Sequence, residues 1–252
     1  MRGALGLAAA YLAICATLFF AQRAMLFPAP RTGRAPKNLQ VIELPGGGLM
    51  LYRAPPSLDS PVVIHFHGNG EQAADMEPLA DVVPGGLALV EYPGYGLLAG
   101  RGSPSEASLL DAGQRAMDYL NQELHIPRER CFLSGQSLGS GVAVELARRG
   151  LGAKLLLFTP YPSLPDVAAR LYPWVPVRLL MRDKFDSAAK AAGISIPVLI
   201  VHGTADEVIP FELGQRLSQL FPHAELFPVP GGHHNGLWDH PEVLEKVRAF
   251  LR

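Results

Sequence analysis

A chain of 252 residues, 48% of them hydrophobic and 18% charged, has the length for one large α/β domain or two small ones and the apolar content for a sizeable core. Lysine plus arginine (22) nearly balance aspartate plus glutamate (23), and the charges form no block, which argues against nucleic acid as a partner. The two cysteines, Cys15 and Cys131, offer no disulfide framework and no C-x-x-C metal or redox motif.

Residues 3–21 (GALGLAAAYLAICATLFFA) carry no charge. As a helix they reach just under ~30 Å, enough to cross a bilayer. A cleaved signal peptide would need small residues after the apolar run, and Ala21-Gln22-Arg23-Ala24 fits that poorly. A lipoprotein signal would need a small residue before Cys15, where Ile14 stands. The expectation is therefore an uncleaved single-pass N-terminal anchor over residues 1–23. Arg23, Arg31, Arg34 and Lys37 outnumber Arg2 plus the amine, a weak positive-inside bias that leaves the side of the membrane open. Residues 24–38 hold three prolines and read as a linker to a domain over 39–252.

Residues 41–44 and 49–53 flank Pro45-Gly46-Gly47-Gly48 and predict a hairpin. Short apolar, β-branched runs at 62–66, 87–91, 131–133, 155–158 and 198–201 predict buried strands. The run at 225–229 contains Pro228, which points to a sheet edge. Helices are expected from Glu71, over about 104–124, after Ser137, and from Pro241 to the end. Strands alternating with helices after an antiparallel start give an α/β class, a mostly parallel sheet covered on both faces. Residues 160–190 hold five prolines and are too long for a turn, so they read as a small cap.

Gly135-Gln136-Ser137-Leu138-Gly139 lies between a predicted strand and a predicted helix. A G-x-S-x-G sequence there is a nucleophile elbow: a tight turn exposes the serine Oγ, and the next N–H, that of Leu138, faces a developing oxyanion at a helix N-terminus. A serine hydroxyl needs a base, and the base an orienting acid. Downstream, Asp206 and Glu207 sit at the tip of a loop after one strand, and His233 and His234 in a loop after another. Asp206, shorter and nearer its strand, is preferred over Glu207; the histidine remains open on spacing alone. The second oxyanion donor is expected from His67-Gly68-Asn69-Gly70, with the Asn69 N–H first and Gly70 next. His65 and His67 alternatively suggest a metal pair, but no supporting ligands stand at useful spacing. No metal and no organic cofactor is expected.

Together these motifs resemble the α/β-hydrolase superfamily, and more narrowly its membrane-tethered branch of ABHD-type acyl-protein thioesterases and bacterial relatives. Further matching segments are Glu91-Tyr92-Pro93-Gly94-Tyr95-Gly96, Pro104-Ser105-Glu106, Lys184-Phe185-Asp186-Ser187 and the stretch from His202 to Pro210. The resemblance implies an α/β-hydrolase fold and a triad of Ser137, Asp206 and the histidine before Asn235, His234. Its last motif reads G-x-G-H-N-D, from which this chain departs at His233 and Gly236. The expected function is a membrane-anchored serine hydrolase acting on an acyl ester or thioester, with Trp174 and Tyr95 contacting substrate and rates rising with acyl length. A chain begun near Arg31 is expected to be soluble and active on short esters. The alternatives are a catalytically silent membrane-tethered binding module, resting on the altered histidine loop, and a serine peptidase of the same fold.

Overall fold

In the computed structural model, which describes residues 2–252, the hairpin is β1 (Gln40–Glu43) and β2 (Leu49–Arg53), antiparallel with Gln40 opposite Tyr52. The remaining strands are β3 (Val62–Phe66), β4 (Gly86–Glu91), β5 (Cys131–Gln136), β6 (Lys154–Phe158), β7 (Val198–Gly203) and β8 (Ala224–Val229). They form one eight-stranded sheet in the order β1-β2-β4-β3-β5-β6-β7-β8, parallel from β4 to β8. Pro228 falls on β8 at the edge, where its missing N–H costs no ladder bond.

The central strands are buried on both faces, which is why they read as unbroken apolar runs rather than alternating ones. Ile64, Phe66 and Leu133 point to one side, against α2 (Glu106–Gln122) and α3 (Leu138–Arg148). Val63, Phe132 and Val201 point to the other, against α8 (Pro241–Leu251) and the segment 73–81. Ser105 caps α2 by accepting from the Ser108 N–H, the role its place before the apolar periodicity calls for. The helix expected from Glu71 is a 3₁₀ helix, Ala73–Asp81, because Pro78 inside it can donate no α-helical bond.

From β3 the chain passes to β4 on one side and then to β5 on the other. The loops after β3 and β5 therefore diverge, opening a crevice at the carboxyl ends of the strands. Between β6 and β7 the cap holds α4 (Leu164–Leu171), α5 (Val177–Leu180) and α6 (Ala188–Ala191). A helix absent from the sequence reading, α7 (Phe211–Ser218), follows β7; Gly214 at its centre leaves room for the His202 ring. The N-terminal helix α1 (Arg2–Leu26) runs past the expected boundary at Arg23, and Phe27 after it is buried in the main core. Residues 3–26 make it long and apolar enough to cross a membrane. It is not free of the domain: Arg23 Nε meets the buried Asp183 Oδ2 at 2.8 Å, and Asp183 also accepts from the Glu106 N–H that starts α2.

Candidate active site

β5 ends in the elbow. Ser137 sits at φ 49°, ψ −118°, a region a side chain rarely occupies, and Leu138 opens α3. Two glycines make the bend possible by close approach. A Cβ on Gly135 would overlap the Gly139 carbonyl, and a Cβ on Gly139 would overlap the Phe66 carbonyl oxygen at the end of β3. The second contact draws the start of α3 against the loop carrying Gly68 and Asn69. Among the described residues, neither the Leu138 nor the Asn69 backbone N–H is bound to a protein acceptor. Both stand available on the crevice side.

That loop is held from behind. The Tyr92 hydroxyl donates to the His67 carbonyl (3.1 Å), and the Tyr95 hydroxyl donates to the Asn69 carbonyl (3.2 Å). The Gly68 N–H donates to Glu71 Oε2 (2.7 Å), and Gln136 Nε2 donates to Glu71 Oε1 (3.3 Å). The buried Glu91 accepts from the Ala73 and Leu97 N–H groups. Tyr95 is thus no substrate contact, contrary to expectation. It is fully buried beneath the oxyanion loop, where burial pushes its phenol well above the ordinary tyrosine range and keeps it a donor. Gln136, the variable position of the elbow motif, also takes a bond from Trp238 Nε1 (3.2 Å), joining the elbow to the segment after the histidine loop.

The loops after β7 and β8 bring the other groups. His234 Nε2 lies 3.1 Å from Ser137 Oγ, and its Nδ1 lies 2.9 Å and 3.1 Å from the two Asp206 oxygens. An ionised carboxylate only accepts, so Nδ1 carries the proton and Nε2 faces the serine with a lone pair. Burial alone would push the Asp206 carboxyl up. Bonds from His202 and His234, the nearby His234 imidazole and the Ile209 N–H outweigh it and hold the carboxyl below the usual range. Oδ1 also accepts from the Val208 and Ile209 N–H groups, at 2.9 Å and 2.7 Å.

His202, quoted only as part of a motif, stands behind the acid: its Nε2 is 2.9 Å from the Ile209 carbonyl and 3.3 Å from Asp206 Oδ2. Glu207 and His233 pair instead with each other at the surface, 3.1 Å apart. Gly236 takes φ 79°, a left-handed turn that ends the histidine loop. His65 and His67 are both buried, and each has its own partner. His65 Nδ1 meets Ser134 Oγ at 2.9 Å, and burial, then the neighbouring His67, push it down to about 3. His67 Nδ1 donates to the Gly68 carbonyl at 2.8 Å.

Above Ser137 lies an apolar groove of about 270 Å³, bounded by the cap (Leu164, Val167, Leu180), the loop after β7 (Ile209) and α1 (Phe19, Leu26). No charged side chain lines it among the described residues. Trp174 does not line it either: its side chain is 53% exposed on the outside of the cap, which corrects the expectation of a substrate contact.

Residues 158–235, from the end of β6 to the histidine loop, match a family described as "Serine hydrolase (FSH1)". Rv2307c of Mycobacterium tuberculosis is 35% identical over 195 residues, covering 76% of this chain and 69% of that protein. The chain belongs to the α/β-hydrolase superfamily. It is a serine hydrolase. The Caenorhabditis elegans α/β-hydrolase domain-containing protein aho-3 is 36% identical over 151 residues, 60% of this chain and 44% of that protein. The fold is shared with the esterase RhEst1 of Rhodococcus sp. ECU1013, at a TM-score of 0.65 and 18% identity over 85% of this chain and 98% of that one.

Proposed function

We propose that the protein is a membrane-anchored serine hydrolase that cleaves carboxylic esters or thioesters through an acyl-enzyme on Ser137, within the membrane-tethered ABHD-type branch. Residues 1–23 serve as anchor, 24–38 as linker and 39–252 as the hydrolase domain with its cap at 160–190. One observation carries the reading: a strained serine at the foot of an apolar groove, 3.1 Å from an imidazole that is itself held by a buried carboxylate.

The chemistry follows from that geometry. Ser137 Oγ attacks the acyl carbonyl as its proton passes to His234 Nε2. The resulting imidazolium is stabilised by Asp206, whose carboxylate is already ionised and needs no reorganisation. The oxyanion is held by the N–H groups of Leu138 and Asn69, fixed before substrate arrives. His234 then gives its proton to the leaving alcohol or thiol, and water, activated by the same imidazole, releases the acid. The uncharged groove suits an acyl chain and offers no partner for a peptide terminus, which favours ester or thioester over peptide substrates. The peptide Gly232–Asn235 supports activity over a silent module, since the departures at His233 and Gly236 leave the His234 ring in reach of both partners.

A fluorophosphonate probe tests the reading. The full chain should label, Ser137→Ala should not, and a label that persists in Ser137→Ala refutes it. The anchor is tested separately by alkaline carbonate extraction of membranes, from which the full chain should remain in the pellet.

A further inference from the structure

One wall of the groove comes from α1, outside the hydrolase domain. Tyr11, Cys15, Leu18, Gln22 and Leu26 follow one another at three- and four-residue steps, a single helical stripe. Every member of that stripe meets the domain. The Tyr11 hydroxyl donates to the Trp174 carbonyl (2.9 Å). Cys15 is buried with Val175 and Val177, and Leu18 packs on that cluster. Gln22 donates to the Leu180 carbonyl and accepts from the Arg182 N–H. The Leu26 carbonyl accepts from Asn69 Nδ2 (3.3 Å), on the oxyanion loop itself.

The docked length matters because a bilayer core is ~30 Å thick. With Tyr11 onward held against the cap, only residues 3–10 run clear, roughly 12 Å of helix. The helix cannot be immersed without bringing the cap along. The cap is built for it: Leu171 (60% exposed), Trp174 (53%) and Leu179 (82%) flank the residues that grip α1, and the far side of α1 presents Leu12 and Phe20. Residues 3–22 of α1 carry no charge, and on the cap the exposed Arg170 and Arg178 stand beside Leu171 and Leu179, the pairing of apolar and cationic side chains that suits the boundary between lipid tails and phosphates. Leu171 and Met25, both exposed, also stand on the rim of the groove.

We infer that α1 and the cap enter the bilayer as one body, and that the groove between them draws the acyl chain of its substrate directly from the lipid, with Leu18, Phe19 and Leu26 setting chain-length preference. The inference rests on the reading of Ser137 as an acylated nucleophile, but its first test does not. The full chain is placed in phosphatidylcholine vesicles with brominated acyl chains, and tryptophan emission is compared with that of Trp174→Phe. The Trp174 share of the emission should be quenched and the Trp238 share should not. An unquenched Trp174 overturns the inference and leaves the hydrolase assignment standing.

The second test reads the groove. In vesicles, the ratio of kcat/KM for decanoyl over acetyl p-nitrophenyl ester should fall about tenfold in Phe19→Ala. Phe19→Leu, which keeps an apolar wall, should retain most of it. A ratio unchanged by Phe19→Ala in a chain that still labels with fluorophosphonate overturns the role of α1. Loss of labelling in the unaltered chain would instead strike the hydrolase reading beneath it.

Discussion

Replacing Asp206 with asparagine changes one atom type at the point where the relay is set. The Asp206 oxygens receive His234 Nδ1 on one side and the Val208 and Ile209 N–H groups on the other. Those two backbone donors are fixed, so the asparagine carbonyl oxygen stays with them and its NH₂ turns toward His234. An NH₂ facing Nδ1 demands a lone pair there, which puts the imidazole proton on Nε2. Nε2 then cannot accept from Ser137 Oγ, although every distance is preserved. A wrong-tautomer base of this kind costs about 10⁴ in kcat, close to 5.5 kcal/mol of transition-state stabilisation. The assay is steady-state hydrolysis of p-nitrophenyl butyrate by the full chain in mild detergent, alongside Glu207→Gln. Glu207 meets the exposed His233 side chain and the backbone N–H of His234, and glutamine keeps an acceptor oxygen for both, so this change should alter the rate by less than about twofold. A rate for Asp206→Asn within tenfold of the unaltered chain, or a larger loss in Glu207→Gln, would refute the argument.

Three other outcomes follow from the same geometry. His234→Ala should lower kcat by on the order of 10³-fold or more, while His233→Ala should stay within about fivefold; ester kinetics on the pair checks this, and the reverse ranking would move the base. His65 is neutral in the fold down to about 3. The unfolded chain binds its proton below ~6.5, so stability should fall as pH drops through this window, by roughly 1.4 kcal/mol per unit. Urea unfolding at pH 6.5 and 5 should show a loss of roughly 1.6 kcal/mol, since half of the unfolded imidazole is already protonated at the upper pH, and His65→Asn should largely remove it. Gly139→Ala should disrupt the elbow, since its Cβ would overlap the Phe66 carbonyl; the variant should lose more than about 3 kcal/mol, read as a drop in urea midpoint together with lost fluorophosphonate labelling.

Much of the sheet was legible because its strands are buried on both faces. Such strands announce themselves as short β-branched runs, and β3 through β7 all fall where those runs stand. Ser137 and Asp206 stood out for a different reason: chain order and strand-end position constrain which loops can meet. Spacing could not rank His233 against His234, because neighbours in a loop point to opposite sides; the resemblance to the G-x-G-H-N-D motif chose His234, and in the structure His233 turns away to Glu207.

The misreadings share a cause. Tyr95 and Trp174 were chosen as large aromatics near the site, but aromaticity does not say which side of a segment faces in. Tyr95 supports the oxyanion loop from beneath, and Trp174 faces outward. α7 was not among the expected helices; Gly214 at its centre has no side chain, which makes space for the His202 ring. α1 read as an independent anchor because its composition is uniformly apolar. Its stripe of Tyr11, Cys15, Leu18, Gln22 and Leu26 marks a docking face, and a chain begun at Arg31 would lack one wall of the groove.

The most direct measurement is to catch the acyl group on the enzyme. The full chain is mixed with p-nitrophenyl octanoate, quenched in acid within the first turnovers, digested and mapped by mass spectrometry. The account predicts an octanoyl group on the peptide containing Ser137, strongly reduced in His234→Ala, which lacks the base for acylation as well as deacylation, and absent from Ser137→Ala. An acyl group mapped to any other residue, or nitrophenol released by Ser137→Ala at the rate of the unaltered chain, would contradict it.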